Sequence, residues 1–228
     1  MTSRLTAVLD QGRVEVRFSN RAHGDLNADA VEPGVVAARW RAIADRPVAW
    51  LDEVHGTDVV VIDTAAEAVG RTGDALVTAR PGVALGIWVG DCAPVTLVAP
   101  EGIVGAAHAG WRGLVAGVLH QTVLAMRALG ATHIDGFLGP CIHVECNEFG
   151  RADLDCLIAL FGPAVEGATA WGTPALDLPA AVGAALALDG VPLAPMPQPC
   201  TACDERFWSR RARSDRARQG MAVWREAA

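Results

Sequence analysis

Short apolar runs rich in β-branched residues dominate the first two thirds of the chain. Residues 13–18 alternate between polar and apolar side chains, as expected of a strand. Five compact apolar runs are typical of strands that are buried on both faces, at residues 59–62, 84–89, 95–98, 103–107 and 134–138. The pattern therefore predicts at least six strands.

Apolar residues with the spacing of an α-helix lie between and after these runs. Residues 114–129 carry one apolar stripe and are followed by Gly130, which predicts a helix that ends at that glycine. Two further helices are predicted at 152–161 and 178–188, the second with Asp177 as its N-cap. The mixture of strand and helix periods favours an α/β sandwich over an all-β barrel.

Length and composition set the class of protein. A chain of 228 residues suits one domain, which we expect to extend over 1–228. A hydrophobic fraction of 51% is above that of a disordered chain, yet charged residues and prolines interrupt the apolar region 83–110 before it reaches membrane-spanning length. No secretory signal is recognisable, so we expect a cytoplasmic protein without a membrane partner.

Charge is unevenly distributed. The formal net charge of −7 argues against a nucleic-acid partner. Residues 206–218 nevertheless contain six arginines. They are interpreted either as a solvated helix face, paired with Asp204, Glu205 and Asp215, or as a site for phosphate or another anion.

Three short motifs place groups that can bind a metal beside glycine at the ends of predicted strands. They are Glu53-Val54-His55-Gly56, Gly90-Asp91-Cys92 and His108-Ala109-Gly110. Two imidazoles and one thiolate suit zinc, and three protein ligands leave a fourth position open, as in catalytic zinc sites. His55, Cys92 and His108 are therefore the candidate metal ligands, although a lone buried His or Cys is more often a core residue.

The third motif also begins the helix predicted after it. A glycine-rich helix N-terminus offers free N–H groups and a positive dipole end. Gly110 and the neighbouring Arg112 could therefore bind phosphate, unless the glycines only make a tight turn.

Taken together, the motifs resemble a bacterial family first called laccase domain or multicopper polyphenol oxidase. The family was later described as zinc-dependent purine nucleoside enzymes related to FAMIN, and some members are called peptidoglycan editing factors. The matching segments are Arg21 with residues 25–27, Val54-His55-Gly56, residues 90–95, residues 107–114, residues 139–142 with Glu148, residues 176–178, Cys200-Thr201 and residues 207–211. Where this chain has Gly90, the family usually has alanine.

This resemblance implies a layered α/β sandwich with mixed sheets, usually monomeric. It also implies a zinc ion on His55, Cys92 and His108. The implied activities are phosphorolysis of adenosine, inosine, guanosine and methylthioadenosine, and deamination of adenosine.

Further site residues follow from the resemblance and the chemistry. Arg21, Asn27 and Arg39 are carried over as substrate-binding residues. Asp91 is predicted to orient water beside the metal. Gly110, Arg112, Arg210 and Arg211 are predicted to bind phosphate, with Arg112 in a catalytic role, and Trp111 to pack on the base or ribose or, alternatively, in the core.

Alternatives remain at this point. Two His and one Cys also describe a blue-copper site, although six histidines in total are too few for a multicopper cluster. His143-Val144-Glu145 and Pro199-Cys200-Thr201-Ala202-Cys203 match the signature of cytidine-type zinc deaminases. A peptidoglycan editing factor would use the same cleft. In a non-catalytic metal or redox module, Cys200 and Cys203 would form a redox or structural pair.

Overall fold

The computed structural model describes residues 3–9, 12–195 and 198–226. The strands found there are β1 (Ser3–Leu9), β2 (Gly12–Phe18), β3 (Val48–Ala49), β4 (Val59–Val61), β5 (Ala75–Thr78), β6 (Ala84–Val89), β7 (Ala93–Val98), β8 (Val104–Ala109), β9 (Asp135–Leu138), β10 (Glu166–Ala168), β11 (Pro174–Leu176) and β12 (Gln219–Arg225). The α-helices are α1 (Pro33–Ala44), α2 (Trp111–Ala116), α3 (Val118–Ala128), α4 (Arg151–Phe161), α5 (Leu178–Leu188) and α6 (Arg210–Arg213).

Two five-stranded mixed sheets form the centre of the fold. The first has the order β1-β2-β12-β6-β3, and the second has the order β4-β5-β8-β7-β9. In each sheet one edge pair is parallel, β3 with β6 and β4 with β5, and the other neighbours are antiparallel. A separate two-stranded sheet pairs β10 with β11.

The two sheets stack face to face and helices cover their outer faces. Along β12, Met221 and Val223 point into the apolar layer between the sheets, whereas Ala222 and Trp224 point outward against α1. Helices α2 to α5 pack on the outer face of the second sheet. The resulting α/β/β/α layering confirms the layered α/β sandwich with mixed sheets.

Most predicted elements are present. All residues of β6, β7 and β8 are buried, because each strand has a packed layer on both sides. Asp177 caps α5, since its carboxylate accepts the N–H of Ala180 at 2.9 Å. Gly130 follows α3 with a φ of 104° and completes the expected helix stop.

The prediction of one helix over 114–129 is wrong. The segment forms α2 and α3, which meet at Gly117 with a φ of 97°. The N–H of Gly117 donates to the carbonyls of Gly113 and Leu114, which ends α2 there. A left-handed backbone conformation costs little free energy only for glycine, because glycine has no Cβ. The chain can therefore change direction at Gly117.

Several elements and one loop were not anticipated. Helix α1 and the strands β1, β3, β5, β10, β11 and β12 all lie outside the predicted elements. Helix α1 begins with Pro33 and buries Trp40, and β12 occupies the middle of the first sheet. The arginine-rich segment 206–218 is a loop with only the four-residue helix α6, so the interpretation as a helix face is wrong. No helix among the described residues has the length and apolar character needed to cross a membrane.

Candidate metal centre and pocket

The ligand atoms of His55, Cys92 and His108 all lie within 4.8 Å of one another. The Sγ of Cys92 is 3.8 Å from the Nε2 of His55, and the two imidazole rings meet edge-on with centroids 4.7 Å apart. Metal–ligand bonds of tetrahedral zinc, about 2.0 Å to nitrogen and about 2.3 Å to sulfur, place sulfur and nitrogen about 3.5 Å apart. The donor set and its spacing therefore fit such an ion.

Sheet geometry explains how His108 reaches this site. Along β8, Val104 and Ala106 point into the layer between the two sheets, and His108 shares their side of the strand. Cys92 directly precedes β7, which pairs with β8, and Pro94 lies opposite His108. Two ligands from adjacent antiparallel strands thus converge at one end of the sandwich.

Asp74, directly before β5, organises the centre. Its Oδ1 accepts the N–H of His55 at 2.8 Å, and its Oδ2 accepts the N–H of Gly56 at 2.6 Å. These bonds hold His55 in a left-handed conformation with a φ of 60°. Asp74 Oδ1 also lies 2.9 Å from Nδ1 of His108, which leaves Nε2 of that ring free for a metal.

Gly110 lets the ligands approach each other. A Cβ atom at this position would lie 3.0 Å from Cδ2 of His55 and 3.1 Å from Sγ of Cys92. Both distances are shorter than ordinary van der Waals contact. A side chain at Gly110 would therefore push the thiol and the imidazole out of place.

The charges at the centre favour the thiolate. Burial alone raises the pKa of Cys92, but the imidazoles of His108 and His55 outweigh it and lower the pKa to about 6. Likewise, burial lowers the pKa of His108, while Glu53, Cys92 and the hydrogen bond to Asp74 raise it well above its ordinary value. A thiolate is the form of cysteine that binds metal, so the metal-free site is prepared for a cation.

Glu53 is a buried carboxyl group beside the metal ligands. Its Oε2 lies 3.4 Å from Nδ1 of His108, and its Oε1 accepts the N–H of Trp88 at 2.9 Å. Burial raises the pKa of Glu53 to about 8, even though His108 and the N–H of Trp88 oppose this. In the metal-free site, neutral pH therefore favours the protonated form of this side chain.

A pocket of about 400 Å³ opens onto the three ligands. Trp111, Phe149, Ile142, Leu176 and Leu178 supply its apolar wall. The rings of Trp111 and Phe149 pack edge-on with centroids 5.5 Å apart. This volume lies within the range of small-molecule sites, and the wall combines apolar surface with a few polar groups, as such sites do.

Six of the predicted substrate or catalytic residues line this pocket: Asn27, Asp91, Gly110, Trp111, Arg210 and Arg211. Asp91 accepts the Oγ1 hydrogen of Thr201 at 2.7 Å and the backbone N–H of Arg211 at 2.7 Å. It thereby joins the metal-binding loop to the arginine-rich segment. Trp111 is partly buried against the core and also lines the pocket, so its packing on the base or ribose stays a prediction.

The other three predicted residues do not line the pocket. Arg21 pairs with Asp215 at 2.6 Å, and Arg39 donates to the carbonyl of Asp25. Both hold the N-terminal loop to the fold. Arg112 is exposed and its guanidinium carbon lies over the ring of Trp111, 4.3 Å from the ring centroid.

Sequence reasoning assigned no role to three residues that the structure brings to the site: Asp74, Glu53 and Phe149. Arg218, which the sequence offered only as one of the six arginines of 206–218, also lines the pocket. Glu53 begins one of the motifs that were singled out, and Phe149 follows Glu148, which belongs to a matching segment. Asp74 lies in a Gly73-Asp74 pair just before a strand, a position typical of site residues in sandwiches, but no local signature marks it.

Comparison with known proteins identifies the family of this chain. Residues 19–226 match the family model described as multi-copper polyphenol oxidoreductase laccase. The chain is 41% identical over 183 residues to a purine nucleoside phosphorylase of Streptomyces griseus, covering 74% of each chain. It is 33% identical over 204 residues to a purine nucleoside phosphorylase of Mycobacterium bovis, covering 86% of this chain and 81% of that one. The chain therefore belongs to this laccase-like family.

Solved structures show the same architecture. A Neisseria meningitidis protein superimposes with a TM-score of 0.78 at 28% identity, covering 98% of this chain and 99% of that one. YlmD from Geobacillus stearothermophilus gives a TM-score of 0.77 at 26% identity, covering 96% and 93%. The layered sandwich is thus the fold of these proteins as well.

Proposed function

We propose that this protein is a zinc-dependent purine nucleoside phosphorylase, formed by a single domain, that also deaminates adenosine. Its substrates would be adenosine, inosine, guanosine and methylthioadenosine, with phosphate. One observation carries the proposal: the three metal ligands line the same pocket as Arg210, whose side chain has no hydrogen-bond or ion-pair partner among the described residues. The names of the related phosphorylases support it.

His55, Cys92 and His108 would hold the zinc ion, with its fourth position toward the pocket. Zinc in such a position supplies Lewis acidity, which lowers the pKa of water and polarises a bound substrate. Asp74 keeps the ring of His108 oriented for this task through its hydrogen bond to Nδ1. Of the two metals considered, zinc fits better than blue copper, because no methionine is among the described residues that line the pocket.

Phosphorolysis needs an anion site next to the ribose. Phosphate attacks C1′, the bond to the base breaks, and the departing base takes up a proton. Within the described ranges, the guanidinium of Arg210 has no hydrogen-bond or ion-pair partner, although it lies at the pocket. A guanidinium binds phosphate through two parallel hydrogen bonds, so Arg210 is the group we assign to phosphate.

Proton transfer and base binding complete the proposal. Glu53 carries a proton at neutral pH and lines the pocket, so it can donate that proton to a leaving base or ammonia. Trp111 and Phe149 offer aromatic surface for the purine. Asp91 can accept a further hydrogen bond from water or substrate, because each carboxylate oxygen has two lone pairs.

The first test combines metal content with turnover. Wild type, His55→Ala and Cys92→Ala are analysed by mass spectrometry, and release of base from inosine and adenosine is measured with and without phosphate. We expect zinc and phosphate-dependent release in wild type. Each variant should lose the zinc ion held by His55, Cys92 and His108 together with the phosphate-dependent release. Zinc binding without any nucleoside turnover in wild type would contradict the proposal and would favour peptidoglycan precursors as substrates. A coloured, copper-loaded protein that oxidises phenols would favour the oxidase.

The second test addresses phosphate. Arg210→Ala should raise the KM for phosphate by at least about tenfold, since a charge-assisted hydrogen bond contributes about 1.5–3 kcal/mol. The KM for inosine should change little. Arg206→Ala is the matched control, because Arg206 is an exposed arginine of the same segment that pairs with Asp204 at 2.5 Å and does not line the pocket. Equal phosphate KM values in the two variants would remove Arg210 from the mechanism.

A further inference from the structure

A second group of metal-binding side chains lies outside the pocket. The ligand atoms of Glu145, Cys146, Cys200 and Cys203 all lie within 4.8 Å of one another. The Sγ atoms of Cys146 and Cys203 are 3.1 Å apart, and Sγ of Cys203 is 3.5 Å from Oε1 of Glu145. None of the four residues lines the pocket, so the proposed activity does not explain why they converge.

Two distant parts of the chain build this cluster. Glu145 and Cys146 lie in a single turn of 3-10 helix, Val144–Cys146, shortly after β9. Cys200 and Cys203 lie in a turn closed by the N–H of Asp204, which donates to the carbonyl of Cys200 at 2.9 Å. Two cysteines separated by two residues in a turn are the usual local element of a structural zinc site.

The donor set suits a metal better than a disulfide. A disulfide between Cys146 and Cys203 would leave the thiol of Cys200 and the carboxylate of Glu145 beside it without a function. Tetrahedral zinc with bonds of about 2.3 Å to sulfur places two sulfur atoms about 3.8 Å apart, against about 2.05 Å in a disulfide. In the cluster, the Sγ atoms of Cys146 and Cys203 are 3.1 Å apart and all four ligand atoms lie within 4.8 Å of one another. The sulfur–sulfur distance expected around zinc lies within this range.

Backbone contacts prepare Cys200 for this role. It is buried and pairs with Cys141 in an isolated parallel bridge. The N–H of His143 lies 3.4 Å from its Sγ, and a hydrogen bond from a backbone amide stabilises a metal-bound thiolate. We propose that Glu145, Cys146, Cys200 and Cys203 form a second, structural site for a divalent cation that prefers sulfur, namely zinc.

This assignment differs from a cytidine-type deaminase site. In that signature the glutamate is a general acid and base that faces the substrate and is not a ligand. Here Glu145 is one of four converging donors, and His143 is not among them. Four protein donors leave no open position, which is the arrangement of a structural zinc site.

A metal at this position would brace the pocket. The cluster ties the segment that carries Asn147 and Phe149 to the segment that carries Thr201. Thr201 in turn donates to Asp91 at 2.7 Å. Zinc that binds only the folded state would therefore raise the thermal stability of the protein, and the increase would grow with the free zinc concentration.

The test counts metal ions and does not depend on activity. Native mass spectrometry of protein prepared under reducing conditions should find about two zinc ions per chain in wild type and about one in Cys203→Ser, Cys146→Ser and His55→Ala. Cys156→Ser is the matched control, because Cys156 is an exposed cysteine on α4 outside the cluster, and it should keep both ions. Circular dichroism establishes that each variant is folded.

A second measurement tests the proposal even if the serine variants do not fold. His55→Ala protein loaded with Co²⁺ should show a thiolate-to-metal charge-transfer band, and Glu145→Gln should shift that band. A single zinc ion in wild type that is lost in His55→Ala would overturn the proposal. So would a chain two hydrogens lighter with a Cys146–Cys203 disulfide, because these thiols would then be unavailable.

Discussion

The carboxylate of Asp74 is expected to control both metal affinity and the stability of the site. Each of its oxygens accepts two hydrogen bonds: Oδ1 from the N–H of His55 and from Nδ1 of His108, and Oδ2 from the N–H groups of Gly56 and Val54. In Asp74→Asn, an amide NH2 replaces one oxygen whichever way the side chain is oriented. Two donors therefore lose their acceptor.

The magnitude follows from these bonds. An unsatisfied donor that is shielded from water costs about 1–3 kcal/mol, and the Val54 bond of 3.3 Å is weak, so we expect a loss of about 2–4 kcal/mol in the free energy of unfolding. Without these bonds the left-handed conformation of His55 and the ring orientation of His108 are less well held. Loss of such a partner weakens metal binding by about 10–100-fold.

Two assays measure the effect. Urea denaturation of metal-free protein gives the free energy of unfolding, and competition with a chelator gives the zinc Kd. Asp63→Asn is the control, because Asp63 pairs with Arg80 at 2.9 Å and both side chains are 61% exposed, so its loss should cost less than about 1 kcal/mol. If Asp74→Asn matched wild type in both assays, the role given to this carboxylate would be refuted.

The pH dependence of this difference provides a further check. Burial raises the pKa of Asp74, but the hydrogen bonds from His108 and from the N–H groups of Gly56 and His55 outweigh it, and the pKa is lowered. A carboxyl group with a lowered pKa in the folded state stabilises the protein above its unfolded pKa and loses this effect as pH falls through the folded value. The stability gap between wild type and Asp74→Asn should therefore be present at neutral pH and shrink in acid.

Three other outcomes are expected. Gly110→Ala should weaken zinc binding at least about tenfold, because the new Cβ would crowd His55 and Cys92. Gly34→Ala is the control and should leave zinc binding unchanged, because nothing lies within 4 Å of the added Cβ. Chelator competition compares the zinc affinities of the two variants. Gly117→Ala should lower the free energy of unfolding by about 1–2 kcal/mol, because alanine is strained at a φ of 97°; an unchanged urea midpoint would contradict this. In metal-free protein, the rate of alkylation of Cys92 should rise with pH with a midpoint near pH 6, because the thiolate is the reactive form. Peptide mass spectrometry measures this rate. A midpoint near pH 8.5 would show an unperturbed thiol.

The sequence by itself determined the layered α/β class and most of its central elements. Apolar runs such as 84–89 and 95–98 have no polar face, so they are stable only between two packed layers, and the structure confirms this. The residue types at His55, Cys92 and His108, each within two residues of a glycine, likewise predicted a metal-binding set, and the convergence of these side chains is confirmed.

Only the tertiary structure decided how these groups are supported. Asp74 and Glu53 act on His108 from positions 34 and 55 residues away in the chain, and no local periodicity encodes such contacts. The same holds for the roles of the arginines. Arg210 lines the pocket without a partner in the part of the chain that the structure describes, whereas Arg21 forms an ion pair with Asp215. The packing of loops against each other decides which charges meet.

The helix break at Gly117 and the cluster around Cys146 show the same limit. A glycine inside an apolar helical stripe is compatible with either one helix or two, and the choice depends on how α2 and α3 pack against the second sheet. Cys146 and Cys203 carry no sign of each other in the sequence. Their side chains meet because the 3-10 turn after β9 and the turn at Cys200 are held against each other by the pairing of Cys141 with Cys200, a contact between segments far apart in the chain.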